Sequence, residues 1–559
     1  MALKQEWEWE PGEWNEMEDV SKMEKLNYSH GILVILEVSK KQDYIFRTNV
    51  LAENIGASLI IRDITEELPL EDRFAKYQAE TLLIGGGKSL FILPDREAAY
   101  GFVHDLTVFV LKNYPGVELF TAQADYPENA LLMDCVQGLY QALEAKKAQR
   151  LSSFGISGYG IADLCRDTGL PKEVDPLDPK SRDLSGECYA KLHFAEGQDD
   201  YFNTSLLPKS DIPVRLPKKF EELGSTQGVR SYIAVIVIDG NRMGDRIRHF
   251  REDMTKRQEE AAGRGRMTVA DRNAEYKTSF RSLSEGLDKA YEKALRDAIQ
   301  TLADSMTQFH EKNILSIYNH GKELCLPVRP LIRSGDDICL VCDARIGVRL
   351  ASMILENIES QRLKLFSGAH QSDNRLHACA GVALVKVKYP FFRAHELAEE
   401  LCNNAKAMLA RTEDASAIDF QIVQGEISGS LSEIRRNQYC GGKLTNKPFY
   451  LHHQEKGARN SLSDFEKRMV ELCSGMDRRL LKEYREELMR SRKAALEYAH
   501  RFRKEDVIND KVSYDRRNGD ACYCVDFDVI EMMDIYHFYD SKNNDWESVY
   551  EKISRNGEN

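Results

Sequence analysis

The chain has 559 residues, 42% hydrophobic and 30% charged, with a net charge of -13. That length exceeds one ordinary core, so three or four domains are expected, and the acidic balance excludes a protein that coats nucleic acid through a uniformly basic surface, though not one with a local basic groove. No apolar run nears the roughly 18 residues that span a bilayer, and the N-terminus lacks a basic-then-apolar signal, so a cytoplasmic protein with no membrane partner is expected.

Residues 1–27 form an acidic, tryptophan-dotted extension without a readable motif. From His30 the text HGILVILEVSKKQDYIF reads as a buried strand feeding a helix, and TLLIGGGKSLFILP as a hairpin turning at Gly85, Gly86 and Gly87. The His104-Asp105 pair lies in a helical stretch with no partner histidines and reads as a helix-face pair. Residues 151–228 are polar and rich in proline and glycine, a linker module. Its Cys165 and Cys188 supply half the thiols of a structural zinc site. The 12 cysteines are otherwise scattered, several in apolar stretches, and no disulfide framework is expected.

At Tyr232 the first pattern returns. YIAVIVIDGNRMGDRI reads as a buried strand ending on Asp239, then a turn at Gly240, then a helix. A long charged helix follows, then the hairpin VRPLIRSGDDICLVCD, a helix, the strand LHACAGVALVKVKYP and another helix. In that last helix Ala394, Leu397, Ala398, Leu401, Cys402, Ala405, Met408 and Leu409 recur at i, i+3, i+4, i+7 spacing, one apolar face for a sheet. Cys339 and Cys342 are three apart on a strand, point to opposite faces and cannot share a metal. From residue 426 long amphipathic helices predict a C-terminal helical domain, its basic runs on solvated faces.

Asp336 and Asp337 pose a chemical question. At roughly 4 Å and an effective dielectric near 20, two carboxylates repel by about 4 kcal/mol. A solvated turn, a basic neighbour such as Arg333, or a divalent cation would offset that cost. If the strand ending at Asp239 neighbours the hairpin in an antiparallel sheet, Asp239 joins Asp336 and Asp337, and three gathered carboxylates suit divalent metal and two-metal phosphoryl transfer. The Gly240 carbonyl is a further candidate ligand, and Lys406 a candidate to hold a phosphate, its alternative being a snorkelling surface lysine.

At DGNRMG (Asp239 to Gly244) and SGDD (Ser334 to Asp337) the sequence resembles the palm domain of nucleotide cyclases, diguanylate cyclases and, most closely, the large polymerase subunit of type III CRISPR effector complexes, the Cas-ten family. That family has two palms in tandem. Here LEVSKKQDYIF and LIGGGKSLFILP resemble the first, inactive one, with Gly87-Lys88 where acids would be and Glu37 the lone acid of its first strand. The resemblance implies an α+β fold: two tandem ferredoxin-like palms, 28–150 degenerate and 229–425 catalytic, joined by the 151–228 module and followed by a helical domain at 426–559. It implies metal ligation by Asp239, Gly240, Asp336 and Asp337, with Gly240, Asn241, Ser334, Gly335 and Lys406 at the nucleotide. Magnesium or manganese would be the metal and ATP the substrate, joined into cyclic oligoadenylate as an antiviral second messenger. Partners would be CRISPR effector subunits and, through them, guide and target RNA. Asn241 stands where the family has aspartate and Ser334 where it has glycine; neither removes a metal ligand. The linker's two thiols fall short of the family's zinc-binding set, a remnant at most, and no HD nuclease motif is found. Two further readings stay open: a scaffold and nucleotide-binding subunit of a ribonucleoprotein, and a stand-alone nucleotide cyclase.

Overall fold

The structure, a computed structural model, describes residues 26–558 apart from 151–159, 173–182, 199–201, 203–204, 208–212, 224–231, 264, 266, 312–318, 321–322, 364–374, 410–413, 425–428, 440–443, 453–460, 509–514, 517–521 and 543. Nearly all of the acidic extension, 1–27, and much of the 151–228 module lie outside the described residues.

The architecture is α+β. A first sheet is built on β1 (Gly31–Ser39), buried along almost its whole length. It is flanked by β3 (Lys88–Leu93) and β4 (Glu118–Tyr126), with β2 (Glu80–Gly85) outside β3, giving the antiparallel order β2-β3-β1-β4. Alternation along β1 divides the side chains between two cores. Leu33 and Ile35 pack with Leu139 and Leu143 of α4 (Leu132–Ala148). Val34 and Leu36 belong to the main core with Ile60 of α2 (Leu51–Arg62) and Phe102 of α3 (Arg96–Asn113). The short helix α1 (Lys41–Ile45) follows β1 directly. The predicted glycine hairpin is present: Gly85 pairs with Lys88, and Gly86 and Gly87 have φ of 70° and 71°. Positive φ at both central residues is what a two-residue turn matching strand twist requires, and only glycine adopts it freely.

The second sheet repeats that order and extends it. Its strands are β5 (Tyr232–Gly240), β6 (Val328–Ser334), β7 (Asp337–Asp343), β8 (Ala378–Lys386), β9 (Ala417–Ile422) and β10 (Phe449–Tyr450). They lie in the order β10-β9-β8-β5-β7-β6, with β9 parallel to β8 and the other pairs antiparallel. Between the first unit and the hairpin, α6 (Met243–Gly263) leads to α7 (Val269–Asp304), a 36-residue helix opened by a capping box at Thr268 and Asp271. Two more helices pack on the sheet, α8 (Ala344–Ser360) and α9 (Phe391–Met408), each admitted by a glycine. A Cβ on Gly347 would lie 2.4 Å from the Ala234 Cβ, and one on Gly381 would lie 2.0 Å from the Ala398 carbonyl oxygen. As expected, Cys339 and Cys342 are both buried in β7.

The C-terminal part contains the helices α10 (Leu462–Gly475), α11 (Arg478–Arg490), α12 (Arg492–Phe502) and α13 (Val525–Met532). It also contains a hairpin, His537–Asp540 against Asp545–Ser548, that the helical reading did not anticipate. β10, although past residue 425, pairs with Ala417 and Ile418 and so belongs to the second sheet. Among the described residues no helix is long and apolar enough to cross a membrane.

Candidate active site

The strand order brings the three predicted acids together. β5 runs antiparallel between β7 and β8, with Ile238 opposite Ile338 and Asp239 opposite Cys379. One step past Ile238 and Ile338, Asp239, next to last in β5, therefore lies beside Asp337, the first residue of β7. Ser334 and Asp337 close the two-residue turn that holds Gly335 and Asp336. Gly335 has φ of 64°, the positive value such a turn needs at its first central position. The turn leans closely on the end of β5: a Cβ on Gly240 would stand 2.8 Å from Asp336 Oδ2 and 2.7 Å from the Tyr291 hydroxyl oxygen.

The charges there interact strongly. Burial, then the neighbouring Asp239, raises the Asp336 pKa. Burial, then Asp239 and Asp336, pushes Asp337 up to about 6, with Lys41 and Lys406 pulling the other way. Lys406, on α9, is ion-paired with Asp239 and donates to the Gly240 carbonyl at 3.3 Å. Burial alone would lower its pKa, but Asp239 holds it above the ordinary lysine value. Two turns back on α9, Glu399 is pushed up to about 7 by burial and then by Asp337.

A second lysine reaches the acids from the first unit. Lys41 donates to the Gly86 carbonyl at 2.8 Å, and its stem lies against Gly87, where a Cβ would be 2.6 Å from Lys41 Cδ. Burial lowers its pKa, while Asp337 is the largest opposing influence and Asp336 adds to it. Lys41, Gln42 and Gly87 line one side of a cleft of about 50 Å³, and Ser334, Asp337 and His395 the other. His395 is 2% exposed, its ring centroid 4.0 Å from that of Phe46, and burial pushes its pKa down to about 3, so it stays neutral.

Arg333 turns to α7, 2.7 Å from Asp288 and 3.5 Å from Glu292. Asn241 is buried, and its amide donates to the Ala415 carbonyl at 2.7 Å, tying the end of β5 to the segment that enters β9. Among the described residues, the matching corner of the first unit holds no cluster of acids; Glu37 is paired with Lys88 at 3.5 Å and Lys147 at 3.1 Å. His104 and Asp105 form a helix-face pair, Asp105 also accepting from Tyr77 at 2.5 Å and Lys76 at 2.9 Å.

Sequence reasoning missed Lys41, Glu399 and Tyr291. Lys41 and Glu399 carry no signal apart from their neighbours, since only the packing of the first unit on the second brings Lys41 to Asp337, and only the packing of α9 on its own sheet brings Glu399 there. Tyr291 sits on the apolar face of α7 and reads as core. Its hydroxyl is fully buried without a hydrogen-bond partner among the described residues, beside Gly240. The all-oxygen donors Asp239, Asp336, Asp337 and the Gly240 carbonyl suit a hard cation such as Mg²⁺ or Mn²⁺. As placed, with Asp239 engaged by Lys406, no three metal-ligating side chains among the described residues form a ready group.

No protein-family model matches the sequence, and neither does any curated protein. Similar solved structures are Csm1 subunits of type III CRISPR-Csm complexes. A Csm1-Csm4 cassette in complex with cA4 matches at 13% identity and a TM-score of 0.44, covering 86% of this chain and 65% of that one. Csm1 of T. onnurineus matches at 14% identity and 0.39, covering 70% and 53%. The Csm1-Csm4 subcomplex of the type III-A interference complex matches at 14% and 0.43, covering 87% and 66%. The chain thus spans two thirds or less of the length of these Csm1 chains.

Proposed function

We propose that the chain is a nucleotidyltransferase of the type III CRISPR palm kind, with 229–425 its catalytic palm and 28–150 a degenerate one, joining nucleoside triphosphates into a cyclic oligonucleotide. The observation that carries this reading is the convergence of Asp239, Asp336 and Asp337 at one corner of the second sheet, with an ammonium on either side. Mg²⁺ or Mn²⁺, when bound, would supply positive charge to the triphosphate and acidify a ribose hydroxyl. Asp239, Asp336, Asp337 and the Gly240 carbonyl would hold it. Lys406 and Lys41, approaching from the two units, are placed to meet triphosphate oxygens as point charges. The cleft's 50 Å³ is far below the roughly 300 Å³ at which small-molecule pockets begin, so a nucleotide base would rest at its mouth or part the two units. Adenine preference, cyclic oligoadenylate as the product, and CRISPR effector subunits with their RNA as partners follow from the sequence resemblance.

The test incubates purified protein with each nucleoside triphosphate and Mg²⁺ or Mn²⁺, beside Asp336→Ala/Asp337→Ala, and identifies products by mass spectrometry. A cyclic product lost in the double variant is expected. Lys41→Met should weaken nucleotide affinity about tenfold while leaving the fold intact; unchanged affinity would remove Lys41 from the site. One observation favours a second reading, a nucleotide-binding scaffold: Asp239 is already neutralised by Lys406. Nucleotide binding without any product, in the presence of native partners, would select it.

A further inference from the structure

The family resemblance implies zinc in the linker module, and the donor set there does not fit it. Cys165 and Thr168 are three apart, as are Ser185 and Cys188, which is the spacing of two ligand pairs in a four-thiol zinc site. The fold brings the four together. Cys165 Sγ lies 3.9 Å from Cys188 Sγ, and Thr168 Oγ1 lies 3.0 Å from Ser185 Oγ. With zinc–sulfur bonds of about 2.3 Å, sulfur atoms at two corners of a tetrahedron are about 3.8 Å apart, so the thiol pair spans such an edge. The opposite edge is two neutral hydroxyls, which are not zinc ligands, drawn to hydrogen-bonding distance.

The turn around Cys165 keeps the shape of a metal knuckle. The Cys165 amide donates to the Leu170 carbonyl at 2.7 Å, the Gly169 amide donates back to the Cys165 carbonyl at 2.9 Å, and Gly169 has φ of 68°. Burial would raise the Cys165 thiol, but the Thr168 hydroxyl and the amides of Thr168, Ser185 and Asp167 donate to the sulfur and bring it down to about 7. At Cys188 burial and then Glu53 raise the thiol, with the Ser185 hydroxyl opposing them. The module is fastened to the first unit by other means. Glu187 accepts from Arg47 at 2.6 Å, and the Lys191 ammonium donates to the Tyr44 carbonyl at 2.6 Å. α5 (Gly186–Gln198) lies so near α2 that a Cβ on Gly56 would fall 1.8 Å from the Lys191 carbonyl oxygen.

We propose that Cys165, Thr168, Ser185 and Cys188 form a converted zinc knuckle pair, in which a Thr168–Ser185 hydrogen bond and a buried thiol pair replace the ion and hold the two parts of the module together without metal. The proposal is independent of the nucleotidyltransferase reading. Its test measures the zinc content and melting temperature of the full chain, produced with zinc in excess, beside the double variant Thr168→Cys/Ser185→Cys. The native chain should carry under about 0.1 zinc and melt identically with and without chelator, whereas the double variant should take up about one zinc, gain several degrees and lose that gain to chelator. Cobalt titration of the single variant Thr168→Cys covers a double variant that fails to fold: a thiolate-to-cobalt charge-transfer band present there and absent from the native chain supports the geometry. One zinc per native chain would overturn the proposal, as would a folded double variant that binds none.

Discussion

Asp63 shows what burial does to a single acid in this protein. It follows α2, accepts the Tyr114 hydroxyl at 2.6 Å, and burial, ahead of any neighbour, pushes its pKa up to about 7. An acid raised above its unfolded value of 3.8 binds its proton more tightly in the folded chain. Its contribution to stability is therefore most favourable below about pH 4, declines as pH rises toward 7, and stays unfavourable above it. Asp63→Asn keeps an acceptor for Tyr114 and should raise the melting temperature at pH 8 by a few degrees, about 1–3 kcal/mol, with the gain gone at pH 4. Melts across that range measure it. Tyr291 gives the complementary case. Because its buried hydroxyl has no partner among the described residues, Tyr291→Phe should leave the melting temperature equal or higher. Under the proposed function it should also cut turnover at least about tenfold, as loss of an active-site donor does. A lower melting temperature would show instead that the hydroxyl has a structural partner.

Among the elements, those with a strong period were legible. β5 and β7 were readable because both faces of a central strand are covered and the apolar run is unbroken, and α9 because its apolar face repeats at helical spacing. Neighbouring β5 to the hairpin then placed Asp239 beside Asp336 and Asp337. Lys41 and Glu399 were not legible, because Lys41 gains meaning only from the packing of the first unit on the second and Glu399 only from the packing of α9 on its own sheet. The hairpin at 537–548 is short and adjoins helices, too little pattern to separate from them. Two glycines of the second unit should respond differently to alanine. Gly381→Ala places a methyl 2.0 Å from the Ala398 carbonyl oxygen and 2.3 Å from the Cys402 nitrogen, so α9 must lift from β8. A loss of about 3 kcal/mol or more by chemical denaturation is expected. Gly335→Ala meets nothing within 4 Å and incurs only the strain of its φ of 64°, about 1 kcal/mol. Equal losses would contradict the close approach of α9.

At the scale of the molecule, the two units are joined by buried charge as well as by apolar contact. Lys277 of α7 lies 2.8 Å from Glu80 of β2, with side chains 5% and 3% exposed, and Arg281 adds a contact to Glu80 at 2.9 Å. Burial lowers the Lys277 pKa and Glu80 opposes that. Lys277→Met leaves Glu80 under-compensated and should destabilise by about 3 kcal/mol, whereas Lys277→Met/Glu80→Gln should recover part of that loss. Denaturant unfolding of both variants decides it; a double variant worse than the single would show that the pair is a net attraction.

The helix that carries Lys277 has a mechanical consequence. At 36 residues α7 is a rod of about 54 Å. Near its start Asn273 donates to the Tyr126 hydroxyl of the first unit at 2.9 Å; further along Tyr291 lies beside Gly240; and its C-cap Ser305 accepts from the Trp546 indole at 3.2 Å. First unit, carboxylate corner and C-terminal hairpin are thus threaded on one axle. A load applied at either end is felt at Tyr291, because a continuous helix tilts as a whole more readily than it bends.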